Sequence, residues 1–209
     1  CINRRSDQGN GFFPASYAPL AIGEPSQGIS NVRAIGDAGK NRKRLALLNG
    51  LDADFRKKFE DKGVNAYNGF YDDALVLMKS KELTAFDLAG ETESIRTAYG
   101  NNAFGQGCLL ARRLVASGVR FIEVTHDGWD HHKALADEMG EVAPVFDQAF
   151  ATLITDLEQR GMLDSTLVVV ATEFGRKPDF NGGGRSHHPV CFSTALAGGG
   201  VKRGFVYGR

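Results

Sequence analysis

The second half of the chain alternates helix-like and strand-like patterns, and this alternation restricts the possible folds more than any other feature. Residues 104–117 have apolar side chains at helical spacing and are followed by Gly118, a residue typical of a left-handed helix cap. Residues 119–124 ("VRFIEV") then have the β-branched and aromatic composition of a strand. Residues 144–160 and 166–171 ("TLVVVA") repeat this order. Helix, strand, helix, strand predicts βαβ units and a parallel sheet.

The helix predicted at residues 144–160 has one apolar face, and Gly161 follows it at the position of a helix stop. The face consists of Val145, Ala149, Leu153 and Leu157. Residues this far apart lie on one side of a helix. We therefore expect the helix to pack on a sheet in which residues 119–124 and 166–171 are parallel strands.

The chain of 209 residues is long enough for one domain with a hydrophobic core. We interpret residues 1–40 as an irregular segment, 41–100 as a helical region and 101–209 as a βαβ core that bears the site loops. Within the helical region, apolar spacing predicts a helix that is interrupted near Gly50, and two more at residues 67–80 and 91–99. A last strand is predicted at residues 190–197.

Composition argues against two broad classes of function. The 25 Lys and Arg residues balance the 25 Asp and Glu residues, so no overall field favours nucleic acid or an anionic membrane. No apolar run reaches the roughly 18 residues that a membrane-spanning helix needs. The first residues lack the apolar stretch of a secretion signal. We therefore expect neither a nucleic-acid partner nor a membrane span.

Every histidine of the chain falls in two loops that follow the two predicted strands. One loop contains "THDGWDHH" and the other "TEFGRKPDFNGGGRSHHP". Loops that leave the carboxyl ends of parallel strands converge, so we expect these two to meet. Their imidazoles and carboxylates are the mixed set that suits zinc, manganese or a similar divalent ion. The candidates are His126, His131, His132, His187 and His188 with Asp127, Asp130 and Glu173.

Cations accompany these histidines. Arg176, Lys177 and Arg185 lie in the second loop, and a guanidinium suits the oxygens of phosphate, sulfate or carboxylate. The alternative is a set of ordinary salt bridges to neighbouring acids, for which the candidates are Asp127, Asp179 and Glu173. Spacing alone leaves the choice open.

Longer stretches of the sequence resemble a known family. These stretches are "YGNNAFGQGCLLARRLVASGVRFIEV", "GWDHH", "EFGRKP", "GGRSHHP" and "LAGGGVKRGFVYG". Together they resemble a bacterial sulfatase-like family, family 1501 of the domains of unknown function, which looks like a branch of the alkaline phosphatase superfamily. The resemblance extends from about Gly11 to the end of the chain and is dense from Tyr99 onward.

The resemblance implies an α/β fold of the alkaline phosphatase type. Such a fold is a three-layer α/β/α architecture with a mostly parallel sheet and a divalent-metal site at its carboxyl edge. The W-D-x-H motif of the family falls on Trp129, Asp130 and His132, and the histidine of its G-R-D-H-W-P motif falls on His187. The resemblance therefore implies Asp130, His132 and His187 as ligands of a divalent ion such as Zn, Mn, Mg or Ca.

The remaining site residues follow from the second loop. The E-F-G-R motif falls on residues 173–176, which implies Glu173 as a further ligand or as the catalytic base. Arg176 and Arg185 would then hold the anionic part of a substrate. A small-molecule or glycan ester is the implied substrate, a periplasmic or exported location the implied compartment, and the oligomeric state is not indicated.

Three departures from the family pattern qualify this interpretation. Active members of the superfamily carry Asp-His where this chain has Glu173-Phe174, so a second metal would lose an imidazole ligand. Ser186 and His188 replace the Asp and Trp of G-R-D-H-W-P. The nucleophile and a metal-binding Asp of the superfamily usually lie on a first strand that has no counterpart here. We expect either that this strand precedes Cys1 or that the chain is a non-catalytic relative.

Two hypotheses of different classes result. The first is a metal-dependent hydrolase of sulfate or phosphate esters, in which the ion polarises the ester and stabilises the charge that develops on its oxygens. The second is a binding or scaffold protein that has kept the sulfatase-like domain but has lost turnover.

Overall fold

Helices supply most of the regular structure in the computed structural model, which describes residues 2–3, 11–13, 17–32, 36–59, 62–180 and 182–208. The α-helices within these ranges are α1 (Ala38–Lys58), α2 (Lys62–Lys79), α3 (Glu93–Tyr99), α4 (Ala103–Ala116) and α5 (Leu135–Gln159). The strands are β1 (Leu167–Val170), β2 (Gly175–Arg176), β3 (His187–His188) and β4 (Ala195–Gly198). In the segment 1–40, the described residues include a short 3-10 helix at Pro25–Gln27. Residues 1, 4–10, 14–16 and 33–35 of that segment lie outside the described ranges.

The hydrophobic core is centred on α4, which packs against both α3 and α5. Leu109 and Leu110 of α4 are fully buried, and Leu114 is 5% exposed. A helix that is apolar on most sides must be covered on most sides, and α4 meets this condition. Cys108 is also buried, and burial raises the pKa of its thiol to about 12, so it acts as a small apolar core residue.

The apolar face predicted for α5 is confirmed. Ala149, Leu153 and Leu157 are buried, and Val145 is partly buried against the same core. The face packs on α3 and α4, however, so the prediction that it covers a parallel sheet is wrong. The helix also begins at Leu135, before Pro144. Proline within a helix removes one hydrogen bond, and the long helix tolerates this loss.

The predicted three-layer α/β/α fold with a mostly parallel, alkaline phosphatase-like sheet is wrong for the described residues. Two small antiparallel sheets are present instead, one pairing β1 with β4 and the other pairing β2 with β3. In the first, Leu167 lies opposite Gly198 and Val170 opposite Ala195. The run at residues 166–171 does form a strand, but Leu167 and Val169 are 54% and 51% exposed. A strand in a parallel sheet is covered on both faces, and this one is not.

The prediction of a strand at residues 119–124 is also wrong. Only Val124 forms a bridge, and its partner is Ile2, which also bridges to Ile22. Ile2 is 1% exposed and lies between the two segments, donating its N–H to the Glu123 carbonyl over 2.8 Å. Ile122 and Val124 pack towards the core while Phe121 is exposed. The alternation of apolar residues in this segment therefore arises because alternate side chains are partly buried. It does not arise because the segment pairs as a strand of a sheet.

The helices α1 and α2 precede this core. The interruption predicted near Gly50 is wrong, because α1 is continuous from Ala38 to Lys58. Most of its described apolar residues are exposed, including Leu51 at 71% and Phe55 at 53%. Within the described residues, no helix combines the length and the apolar character that crossing a bilayer requires.

The predicted helix stops are confirmed at Gly118 and Gly161. They have φ angles of 88° and 68°, in the left-handed region that glycine adopts without a steric penalty. After Gly118, the N–H of Val119 donates to the Leu114 carbonyl. After Gly161, the N–H of Met162 donates to the Leu157 carbonyl. Both turns satisfy carbonyls at a helix end.

A network of ion pairs connects α3, α4 and α5 beneath the surface. Arg112 of α4 is 4% exposed and contacts Glu91 over 3.0 Å and Asp156 of α5 over 2.9 Å. Tyr99 of α3 donates its hydroxyl to Asp156 over 2.9 Å. Arg160 contacts the other oxygen of Asp156 over 2.6 Å. Burial opposes ionisation of Asp156, but these donors lower the pKa of its carboxyl, so the carboxylate is the form that the fold stabilises.

Candidate metal centre

The two histidine-bearing loops meet on the surface of the molecule. The second loop folds back as the β2–β3 hairpin, in which Arg176 lies opposite His187. The N–H of Lys177 extends the ladder by donating to the Ser186 carbonyl over 2.9 Å. The hairpin therefore places a guanidinium and an imidazole side by side, next to the first loop.

The first loop contributes a tight turn at residues 130–132. The N–H of His132 donates to the Asp130 carbonyl over 3.1 Å, which closes a three-residue turn with His131 at its apex. This turn brings the flanking side chains together, with His132 Nε2 3.1 Å from Asp130 Oδ1. The apex side chain is 5% exposed, whereas Asp130 and His132 are 60% and 48% exposed. Two candidate ligands thus face solvent while the residue between them is buried.

Asp130, His132 and His187 form a compact triangle of ligand atoms. His132 Nε2 lies 3.1 Å from His187 Nε2, and His187 Nε2 lies 2.9 Å from Asp130 Oδ1. An ion bound about 2.0 to 2.2 Å from each ligand leaves neighbouring ligand atoms roughly 3 to 3.5 Å apart. The three atoms therefore fit one divalent ion on a common face. The outward side is exposed, which leaves further coordination positions open, as in catalytic zinc sites.

Arg176 is the main charged partner of this triangle. Its Nη1 contacts Asp130 Oδ1 directly, and its Nη2 lies 3.9 Å from Glu173 Oε1. Hydrogen bonds from Arg176 and then from His187 lower the pKa of the Asp130 carboxyl to about 2. The carboxylate is therefore ionised at neutral pH, as a metal ligand must be. Among the acids predicted as salt-bridge partners of Arg176, Glu173 contacts it, at 3.9 Å. The main partner of Arg176 is Asp130.

Phe174 fixes the orientation of two of these side chains. Its ring centroid lies 4.5 Å from that of His187, and the guanidinium carbon of Arg176 lies 5.4 Å over the same ring. Contacts of both kinds are attractive. Phe174 therefore packs against a candidate ligand and against the guanidinium beside it.

Close backbone packing joins the two loops. A Cβ atom on Gly184 would lie 2.5 Å from the His131 carbonyl oxygen and closer still to the carbonyl group of His132. The neighbouring Arg185 N–H donates to the His131 carbonyl over 3.0 Å. In addition, the Leu135 N–H at the start of α5 donates to the Gly183 carbonyl over 2.8 Å. Only glycine at position 184 allows this approach, because any side chain needs space that the turn occupies.

Several of the predicted candidates lie outside the triangle. The half-buried His126 stacks on Phe104 with ring centroids 4.3 Å apart and accepts a hydrogen bond from Trp129 Nε1 over 3.3 Å. Burial lowers its pKa, against the opposing charge of Asp127, so it is a neutral packing residue. His188 pairs with Gly175 in the hairpin. Arg185 contributes its backbone N–H to the site. Its side chain forms no hydrogen bond or ion pair within the described residues.

Two structural contributions were not predicted from the sequence. His131 Nδ1 forms a hydrogen bond with Glu138 Oε2 over 2.6 Å. The His131 side chain therefore anchors the turn and does not join the triangle. Gly184 provides the close approach between the loops. The sequence contained no signal for the first, because "DHH" offers three equivalent candidate ligands and only the turn geometry separates them. It contained none for the second, since a run of three glycines is equally typical of a simple surface turn.

Comparison with known proteins identifies a family but no characterised relative. A family described as "Protein of unknown function (DUF1501)" matches residues 2–209. Neither the curated proteins nor the solved structures compared with the chain include a match.

Proposed function

Since the chain belongs to the DUF1501 family of proteins of unknown function, we propose a function from its own site: a metal-dependent hydrolase of anionic esters, either phosphates or sulfates. The observation that carries the proposal is the triangle of Asp130, His132 and His187, whose ligand atoms lie 2.9 to 3.1 Å apart. The fold does not support the choice of ester. That choice comes from the likeness of the motifs at residues 129–132 and 173–176 to those of sulfatase-like proteins.

The donor set suits a divalent ion such as zinc or manganese. Two imidazoles and one carboxylate leave positions open for water and substrate. A bound ion of this kind supplies Lewis-acid polarisation of the ester and a water of lowered pKa. Asp130, His132 and His187 hold the ion in this proposal. Their exposure lets an ester reach the open positions.

Arg176 provides the positive charge for the substrate. Its side chain is 24% exposed and lies against both Asp130 and Glu173. A guanidinium offers several N–H groups in one plane, which matches two oxygens of a phosphate or sulfate. An ion bound at Asp130 would compete with Arg176 for the carboxylate, and Arg176 would then be able to direct its N–H groups to the ester anion. Arg185, in the same loop, is the second candidate for this role.

Glu173 is the proposed acid or base. Its carboxylate is 70% exposed and lies 3.9 Å from Arg176 Nη2, beyond hydrogen-bond distance. It is therefore free to accept a proton from water or to donate one to a leaving group. A positioned acid or base contributes about 100-fold or more to the rate.

The first test is the Glu173→Gln variant. The exposed ion pair with Arg176 contributes about 0 to 1 kcal/mol to stability, so the variant is expected to fold almost as well as the wild type. We expect hydrolysis of aryl phosphate or sulfate esters to fall by about 100-fold or more, while zinc affinity changes little. Asp179→Asn, an acid in the same loop, is the matched control and should retain activity. Equal rates with Glu and Gln at position 173 would remove Glu173 from the mechanism.

A non-catalytic binding protein is the second candidate, and the position of Phe174 favours it. The ring packs on His187, and active members of the superfamily that the chain resembles carry a second imidazole ligand at position 174, so in this second proposal the site would hold one ion rather than two. A panel of sulfate, phosphate and phosphonate esters with Zn, Mn, Mg or Ca separates the two candidates. Metal binding with turnover supports the hydrolase, and metal binding without turnover on any ester supports the binding protein.

A further inference from the structure

We propose that His131 and Glu138 form a positioning pair that holds the turn at residues 130–132 in the conformation that binds metal. This inference rests on the proposed metal site and adds to it two residues that do not touch the ion. The pair would determine how tightly the ion is held.

The turn itself indicates this role. Asp130 and His132 lie on either side of His131, and their ligand atoms approach each other because the His132 N–H closes the turn onto the Asp130 carbonyl over 3.1 Å. A three-residue turn held by one hydrogen bond is easily opened in water. Some further contact must therefore keep its apex in place. The buried His131 side chain, at 5% exposure, is the group at that apex.

The apex is held from two directions. His131 Nδ1 lies 2.6 Å from Glu138 Oε2, and Glu138 belongs to the first turn of α5. On the other side, the His131 carbonyl accepts from the N–H of Arg185, two residues before His187. One residue thus connects the turn to the helix through its side chain and to the hairpin through its backbone. A change at His131 would alter the separation of His132 from His187.

The second ring nitrogen shows that packing alone does not explain His131. Nε2 is buried and has no hydrogen-bond partner among the described residues. A buried polar atom without a partner is unfavourable, and an apolar side chain of similar size would avoid it. The contact of Nδ1 with Glu138 is the feature that only the histidine supplies. Since a carboxylate accepts, Nδ1 is the protonated nitrogen in this pair.

The experiment measures zinc affinity and loop geometry in the same variants. His131→Leu removes the contact with Glu138 from the side of the turn. Glu138→Leu removes the same contact from the side of α5, and because Glu138 is 50% exposed, this change leaves the core intact. His131→Asn keeps an N–H donor near the place of Nδ1–H. Lys133→Leu, at an exposed position beside the turn, is the matched control. Zinc affinity is measured by competition with a chromophoric chelator, and folding by urea unfolding.

We expect both Leu variants of the pair to bind zinc at least about 10-fold more weakly, the usual effect of removing a group that orients metal ligands. His131→Asn should recover most of the affinity, and Lys133→Leu should bind like the wild type. A purely structural role would lower the urea midpoint of His131→Leu but leave zinc affinity and the effect of Glu138→Leu unchanged. Wild-type affinity in both Leu variants would overturn the proposal.

A metal-independent readout separates this inference from the proposed function. The rings of His132 and His187 have centroids 4.9 Å apart, close enough for a nuclear Overhauser contact between their protons. We expect this contact in the wild type and in His131→Asn, and its loss in both Leu variants of the pair. Failure of the wild type to bind zinc while this pattern holds would refute the metal site only. Retention of the contact in the Leu variants would refute the positioning pair, whatever the wild type binds.

Discussion

A single oxygen of Asp130 collects three partners at the candidate site. Arg176 Nη1, His187 Nε2 and His132 Nε2 all contact Oδ1. In the absence of metal, these groups compensate the carboxylate charge. An ion bound by the triangle would compete with the guanidinium for the same oxygen. Asp130 is therefore the residue at which substitution is most informative.

The Arg176→Gln variant tests this electrostatic arrangement. In the wild type the pKa of Asp130 is lowered to about 2, chiefly by Arg176, against roughly 3.9 in an unfolded chain. Its ionisation therefore stabilises the fold above about pH 4, and this contribution is lost as the pH falls towards 2. With Gln at position 176 the pKa should rise towards its ordinary value, and the loss should be smaller. The carboxyl carbon shift of Asp130 during an acid titration measures the pKa directly.

Arg185→Gln is the control for this titration. Its side chain has no hydrogen bond or ion pair with Asp130 in the described part of the chain, so the pKa of Asp130 should be unchanged. A value that stays near 2 in Arg176→Gln would show that His187 and His132 suffice, and the contact with Arg176 would have no electrostatic role.

At the level of the elements, α5 contributes its apolar face to the core. Leu153 is 9% exposed and packs within the same cluster as Ala149 and Leu157. Leu153→Ala should lower the free energy of unfolding by about 2 to 5 kcal/mol, because a cavity remains where the side chain was. Leu51→Ala on α1, where the side chain is 71% exposed, should change it by less than about 0.5 kcal/mol. Urea unfolding of the two variants makes the comparison, and equal effects would contradict the assigned face.

The contact between the hairpin loop and the turn gives a second prediction at this scale. Gly184→Ala should separate the two loops, because the new Cβ would clash with the His131 and His132 carbonyls. Zinc affinity should fall by about 10-fold or more, as for other changes that misplace ligands. Gly140→Ala in α5 has open space around its Cβ and should instead stabilise the protein by about 0.5 to 1 kcal/mol. Unchanged zinc affinity in Gly184→Ala would show that the loops adjust without separating the ligands.

Helix α4 and the apolar face of α5 were predictable from the sequence because their signals are local, whereas the continuity of α1 and the start of α5 were not. The apolar spacing of α4 and α5 and the glycines at their ends report on neighbours within one or two turns. Strand pairing is not local. Residues 119–124 have a strand-like composition but bridge only to Ile2, more than a hundred residues away. The antiparallel pairing of β1 with β4 was missed for the same reason, since apolar runs do not indicate direction.

The site was partly predictable for a chemical reason. Asp130, His132 and His187 came from motif resemblance, and their proximity was expected from a parallel sheet that is absent. The loops meet through a hairpin and a glycine contact instead. The role of His131 could be assigned only from the geometry of the turn, because the sequence "DHH" offers three equivalent candidate ligands. Metal binding itself stays a prediction.

At the scale of the whole molecule, the ion network joins segments that the apolar core alone does not orient. Asp156 of α5 contacts Arg112 of α4 and Tyr99 of α3. It also contacts Arg160, which directly follows α5. Burial and then the charge of Asp156 raise the pKa of Tyr99, so its hydroxyl stays protonated and continues to donate. Polar groups in fixed directions allow fewer arrangements of the helices than apolar contacts do.

Asp156→Ala tests this network. Its side chain is 14% exposed, and its removal leaves the nearly buried Arg112 with Glu91 as its acidic partner. Breaking a buried ion pair from one side costs about 3 to 5 kcal/mol, and the remaining Glu91 contact places the expected loss at the lower end. Asp147→Ala, at an exposed position of the same helix, should change stability by less than about 0.5 kcal/mol. Thermal unfolding of both variants measures the difference, and equal melting temperatures would mean that the network is not stabilising.

The open face of the β1–β4 sheet has a consequence for the protein at high concentration. Leu167, Val169 and Leu196 are each about half exposed, and the second edge of β1 has no strand partner within the described residues. Apolar strands with a free edge recruit strands from other chains and initiate aggregation. Val169→Lys should therefore slow the growth of light scattering in concentrated solutions. Val76→Lys, at a helical position that is 69% exposed, should slow it less. We therefore expect this four-residue strand to contribute to association of the chains in concentrated solution.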